Sequence, residues 1–328
     1  MKKLLHSILF CLSALPVRAE ETISVALDWT PNSNHVGLYV AQALGWFDEA
    51  GLDVDILPYT DTSSTVLVAS GIAQFGILDG VSLHTQRSSG ATVTAVMAIV
   101  QHETGRLVFN ADRSEIQSPS DLDGLTYGGF GSEWESSLVA TMIRHDGGAG
   151  EFETVTLGTS AYEALDNGSI DFTLEIKTWE GVIADLTGRD QRGFEYSDFG
   201  VPDMHTTYMG ADETWLEQNV DTASQFIQAV QRGYAFANEN PVRAAELLIG
   251  ETEGMLPNQE LVVAAVRALA AGGYLQDPGE AVGEIDSEMF LGITNFLFDE
   301  GVLRNPAGDV LTERPNTESW FTNDFLER

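Results

Sequence analysis

Ile23-Ser24-Val25-Ala26-Leu27-Asp28-Trp29-Thr30-Pro31-Asn32-Ser33-Asn34-His35-Val36-Gly37-Leu38-Tyr39 is the stretch on which the fold turns. Ile23 to Leu27 reads as a buried strand, Asp28 to Asn34 as a polar loop of turn formers, and His35 to Leu44 as a helix. Gly45 and Gly51 bracket the helix exit, and Leu52 to Leu57 resumes a strand. The pattern then returns. Leu125 to Gly128 is strand-like, Gly129 to Ser132 is a glycine-rich loop, and Glu133 to Arg144 is a helix ending near Gly147-Gly148, glycines that suit left-handed caps.

The second halves of the two units match as well. Val66 to Ser70 followed by Gly71 to Ile77 parallels Tyr162 to Asn167 followed by Gly168 to Leu174: helix, glycine stop, then a short strand with a central Phe. Two such units imply two similar α/β lobes with largely parallel sheets and helical crossovers. In such sheets ligands gather at the carboxyl ends of strands, where helix N-termini also point. The rest of the chain reads as helical: Ala223 to Ala237, Pro241 to Leu248, Asn258 to Ala271 and Ser287 to Asp299.

The N-terminus suggests export. Lys2 and Lys3 precede an apolar run, Leu4 to Leu15, too short to span a bilayer, and Val17-Arg18-Ala19 has the character of a cleavage site. A signal peptide over 1–19 is expected, leaving a protein in the periplasm. Cys11 then belongs to the removed segment, and the mature chain has no cysteine for disulfides or thiolate metal sites. The net charge of −34 becomes −37 without Lys2, Lys3 and Arg18. Such a surface sets nucleic acid and anionic lipid aside as partners.

No G-x-S-x-G elbow, P-loop or H-E-x-x-H occurs, and the mature histidines (35, 84, 102, 145, 205) lack metal-ligand spacing. No catalytic residue, metal site or cofactor is expected. Gly129-Phe130-Gly131-Ser132 lacks the third glycine of a dinucleotide fingerprint but could form an N–H nest at a helix start. Trp29 among turn formers either faces a cleft or caps the sheet edge; Asn32 and Asn34 either cap the next helix or offer amides to a ligand. Trp179-Glu180 lies just past a strand of the second unit.

Asp28 to Tyr39, with Gly45-Trp46-Phe47 and Glu49-Ala50-Gly51-Leu52, resembles the opening of the thiamine-pyrimidine-precursor-binding family, which spans periplasmic ABC transporter substrate-binding proteins and the fungal thiamine-pyrimidine synthases. The likeness continues through Val68 to Gly71, Ile99 to His102, Gly128 to Glu135, Asp171-Phe172, Trp179-Glu180-Gly181 and, more faintly, Tyr234 to Pro241. It implies a type II periplasmic-binding fold, two α/β lobes with a ligand cleft between them. The lobes are expected as 20–110 with 207–328, and 111–206. It further implies a monomer that hands a small molecule to an ABC permease in the inner membrane. Trp29, Asn32 and His35 are expected on one side of the ligand; Phe130, Gly131, Ser132, Glu175, Trp179 and Glu180 on the other.

Two departures stand out. Leu78-Asp79 replaces an aromatic that usually follows the Phe75-Gly76-Ile77 strand, and Thr173-Leu174-Glu175-Ile176-Lys177 replaces aromatics after Asp171-Phe172. With Asp79 and Glu175 the pocket is expected to be more charged than a typical pyrimidine site. A thiamine-pyrimidine precursor is the first ligand expected; riboflavin, a sulfonate, nitrate, or an amino-acid-like or other amine-bearing solute are the alternatives. A sensory role and a synthase-like enzyme using His35 are the other classes, although the synthases' cysteine-rich iron motif has no counterpart here.

Overall fold

The structure, a computed structural model, describes residues 21–328; the expected signal peptide lies outside the described residues. The described residues hold ten strands: β1 Glu21–Ala26, β2 Leu52–Ile56, β3 Phe75–Asp79, β4 Val93–Val100, β5 Gly105–Asn110, β6 Thr126–Gly129, β7 Glu153–Thr156, β8 Phe172–Ile176, β9 Gln191–Glu195 and β10 Thr207–Asp212. They form two five-stranded sheets, β2-β1-β3-β10-β4 and β7-β6-β8-β5-β9. The helices are α1 Val36–Ala43, α2 Trp46–Glu49, α3 Ser64–Ala69, α4 Gly80–Ser88, α5 Glu133–His145 and α6 Ala161–Asp166. They continue with α7 Glu180–Thr187, α8 Glu213–Gln218, α9 Val220–Glu239, α10 Pro241–Glu251, α11 Gln259–Ala271 and α12 Ser287–Asp299. Among the described residues no helix is long and apolar enough to cross a membrane.

The two sheets are built alike, as the repeated pattern implies. β1, β2 and β3 pair in parallel in the first sheet, and β6, β7 and β8 do so in the second. Each sheet then takes one reversed strand, β10 between β3 and β4, and β5 between β8 and β9. β10 reaches the first sheet only after the chain has traversed the second. The chain therefore crosses between lobes twice, near residues 101–104 and 200–206. This corrects the expected boundary after residue 110, because β5 pairs with β8 and β9 and belongs wholly to the second lobe.

Packing fixes the first lobe. β4 is buried along its whole length, as its unbroken apolar run requires, and residues 320–322 cover its outer edge through Ala95. Helix α9 places Phe226 between Phe75, 4.2 Å away, and Phe47, 5.5 Å away. Truncating such a ring costs about 3–5 kcal/mol. α9 approaches α1 so closely that a Cβ on Gly233 would lie 1.9 Å from the Gly37 carbonyl oxygen, so only glycine fits there. The second lobe packs Leu138, Val139, Met142 and Ile143 of α5 against Tyr127 and Phe172.

The lobes also touch away from the crossings. Trp134 of α5 meets Phe296 of α12 edge to face at 5.8 Å, Arg304 pairs with Glu133 at 2.6 Å, and Arg144 pairs with Glu300 at 3.0 Å. On another side Lys177 lies 5.3 Å over the Tyr274 ring.

Candidate functional site between the lobes

The loop after β1 is rigid at its base and open at its tip. The Asn32 side chain accepts the Asn34 N–H at 2.9 Å, capping the short turn that leads into α1. His35 is fully buried; its Nδ1 accepts the Asn32 N–H at 3.3 Å, which leaves the proton on Nε2, 2.8 Å from an Asp28 carboxylate oxygen. Tyr234 of α9 donates to the Asn34 carbonyl at 2.6 Å. His35 and Asn32 are thus struts of the loop. Trp29, 45% exposed, is left at the tip with Tyr59 beside it, ring centroids 5.4 Å apart and planes tilted by 49°.

On the second lobe the glycine-rich loop does not present a free N–H nest, correcting that expectation. The Glu135 carboxylate accepts the Phe130 and Ser132 N–H groups, each at 2.9 Å, and Ser132 Oγ accepts the Glu135 N–H at 3.1 Å. Gly131 takes φ +83°, and a Cβ there would meet Thr156 Oγ1 at 2.5 Å. What the loop offers outward is the half-exposed ring of Phe130.

Glu175 is also corrected. It is wholly buried, Arg106 grips one carboxylate oxygen through Nε at 2.6 Å and Nη2 at 2.5 Å, and Gln191 donates to the other. Both oxygens already accept hydrogen bonds from within the lobe. Trp179 packs against the core of the first lobe and so joins the lobes. Glu180, at the first position of α7, accepts the Ile176 N–H at 3.3 Å. Burial pushes its carboxyl up to about 7, with the Glu175 charge adding to the shift. The Tyr162 phenol, also raised by burial, feels Glu180 as its strongest charged neighbour.

Asp79 ends β3 and caps α4, accepting the Ser82 N–H at 2.8 Å. It is exposed at the surface, yet protein crowds around its carboxyl, and this desolvation raises its pKa; N–H bonds oppose the shift and Asp28 adds to it. Glu103, in the first crossing, is likewise pushed up to about 7 by burial, with repulsion from Asp203 and Asp79. One of its oxygens accepts the Gly105 N–H at 2.6 Å; the other is buried without a hydrogen-bond partner. A cavity of about 420 Å³ lies between the lobes, lined by Asp79, Ser82, Thr85, Ser132, Trp134 and Arg304, among others. Its one cation, Arg304, is already bound to Glu133. A larger hollow of about 590 Å³, beside Trp46, Arg232 and Val282, shares no residue with it.

The cavity brings Asp79 and Ser132 together, and Gly131 and Ser132 line its neighbour. Trp29 and Phe130 stand on opposite lobes. Tyr59, Glu103, Glu135 and Tyr162 escape sequence reading. For Glu135 a signal is there to be found, since Ser132-Glu133-Trp134-Glu135 has the spacing of a capping box.

Two sheets with twice-crossing chain and an interlobe cavity define the type II periplasmic-binding fold. The alkanesulfonate-binding protein SsuA from Xanthomonas axonopodis pv. citri bound to MOPS superposes with a TM-score of 0.65, at 11% identity, covering 88% of this chain and 96% of that one. The chain belongs to the NMT1/THI5-like family, whose model matches residues 32–244. The formylaminopyrimidine-binding protein of Halalkalibacterium halodurans is 30% identical over 296 residues, 88% of each chain. A 4-amino-5-hydroxymethyl-2-methylpyrimidine phosphate synthase of Saccharomyces cerevisiae is 23% identical over 237 residues, 68% of this chain and 69% of that protein.

Proposed function

We propose that this chain is the periplasmic solute-binding component of an ABC importer and captures a small amino-bearing heteroaromatic of the thiamine-pyrimidine type, such as a formylaminopyrimidine. The formylaminopyrimidine-binding relative, similar along 88% of both chains, supports the class. The observation that carries the ligand chemistry is the exposed aromatic faces on the two lobes, Trp29 beside Tyr59 on one and Phe130 on the other. Trp29, Tyr59 and Phe130 supply flat apolar surfaces, and Glu180 supplies a carboxylate suited to an aminopyrimidine edge.

Anionic ligands fit poorly. The N–H groups of Phe130 and Ser132 that would hold a sulfonate are bound to Glu135, and Asp79 and Glu103 would repel it. Capture without turnover is favoured over synthesis because both His35 ring nitrogens are engaged inside the loop. Calorimetry with a formylaminopyrimidine, a hydroxymethylpyrimidine, riboflavin and an alkanesulfonate tests the reading. Heat from the pyrimidines alone supports it; heat from the sulfonate alone overturns it.

A further inference from the structure

At the hinge one imidazole bridges three separate parts of the chain. His102 lies in the first crossing; its Nδ1 is 2.7 Å from an Asp203 oxygen in the second crossing. Its Nε2 is 2.8 Å from an Asp277 oxygen in the segment between α11 and α12 of the first lobe. Carboxylates only accept, so filling both contacts requires protons on both ring nitrogens. Asp203 is itself positioned, its other oxygen accepting the N–H groups of Glu103 and Met204 at 2.9 and 3.0 Å.

We infer that protonated His102 is a pH-sensitive clamp, tying both crossing segments to the first lobe in the lobe arrangement seen here and releasing one tie when it loses its proton. The surroundings set the sign. Partial burial pulls the His102 pKa down, but hydrogen bonds to Asp203 and Asp277 and their charges outweigh it, leaving it above its ordinary 6.5. A raised histidine pKa favours the clamped form fully below the ordinary value and loses that contribution as pH rises through the raised value.

The other titratable groups facing the hinge do not replace the clamp. His205 donates from Nδ1 to the Gln101 carbonyl at 2.9 Å and accepts the Asp286 N–H on Nε2 at 2.9 Å. It is therefore a neutral imidazole, and burial lowers its pKa further. Glu103, pushed up to about 7 by burial, is repelled by Asp203 and makes its side-chain hydrogen bond to the Gly105 N–H, so it does not take the place of His102 between the two carboxylates.

The test uses the ligand-free mature protein, so its outcome does not depend on which ligand binds. Histidine-selective nitrogen NMR should show His102 protonated on both nitrogens in mild acid, with a midpoint above that of an ordinary histidine. Small-angle scattering should show the radius of gyration rising with pH through that same midpoint. In His102→Gln the larger radius should hold at every pH, with no step. Asp277→Asn, which leaves the Asp203 contacts intact, should move the step to lower pH, and it serves if His102→Gln fails to fold. A His102 midpoint at or below that of an ordinary histidine, or the same scattering course in wild type and variants, would overturn the clamp.

Discussion

Ser132 and Glu135 satisfy each other across the first turn of α5, the serine hydroxyl taking the Glu135 N–H at 3.1 Å and the carboxylate taking the Ser132 N–H at 2.9 Å. The same carboxylate also holds Phe130 N–H at 2.9 Å, so the positive end of the helix is neutralised from within the chain. Glu135→Ala should therefore lower stability by about 1–3 kcal/mol, read by urea unfolding, because it strands two N–H donors. An unchanged midpoint would mean that other groups hold the loop.

On the proposed function, Trp29, 45% exposed and touching Tyr59, serves ligand binding more than the fold. Trp29→Ala should weaken an aromatic ligand by on the order of 1 kcal/mol of stacking plus the buried area. Thermal unfolding of the ligand-free protein should barely move. Binding that survives the substitution intact would remove Trp29 from the site.

Glu180 predicts a pH dependence of binding. With its carboxyl pushed up to about 7 by burial, it is largely protonated in mild acid and becomes a full acceptor only above neutrality. Affinity for an amino-bearing pyrimidine should rise with pH through about 7, and Glu180→Gln should flatten that rise. Titration calorimetry across the range checks both.

Glu103 predicts the opposite sign for stability. Its folded pKa is raised from 4.5 to about 7, so the folded state favours the protonated form. Stability is fully present below 4.5 and is lost as pH rises through about 7. Glu103→Gln should gain on the order of 1 kcal/mol above neutrality, seen by denaturant unfolding on the alkaline side, and little in acid. A variant less stable than wild type there would show that the Gly105 contact outweighs the desolvation.

The repeated strand-loop-helix units are legible in sequence because their signals are local: turn formers, caps and glycine exits at fixed offsets. The reversed strands β5 and β10 are not, since their partners lie far along the chain; β5 pairs with β9 some 80 residues on. Glu175 shows the same limit within the site. Its place after a strand suggests a cleft residue, but Arg106 and Gln191, brought alongside by that distant pairing, consume its carboxylate. Trp29 and Glu180 stand as proposals: the indole is exposed beside Tyr59, and the Glu180 carboxylate accepts the Ile176 N–H at the start of its own helix.

Titration calorimetry of the wild-type protein with a formylaminopyrimidine, repeated with Trp29→Ala and Glu180→Gln, tests the central claim most directly. The account predicts saturable one-to-one binding that is weakened at least several-fold by either change, on the order of 1 kcal/mol each. Absence of binding, or binding indifferent to both residues, would contradict it.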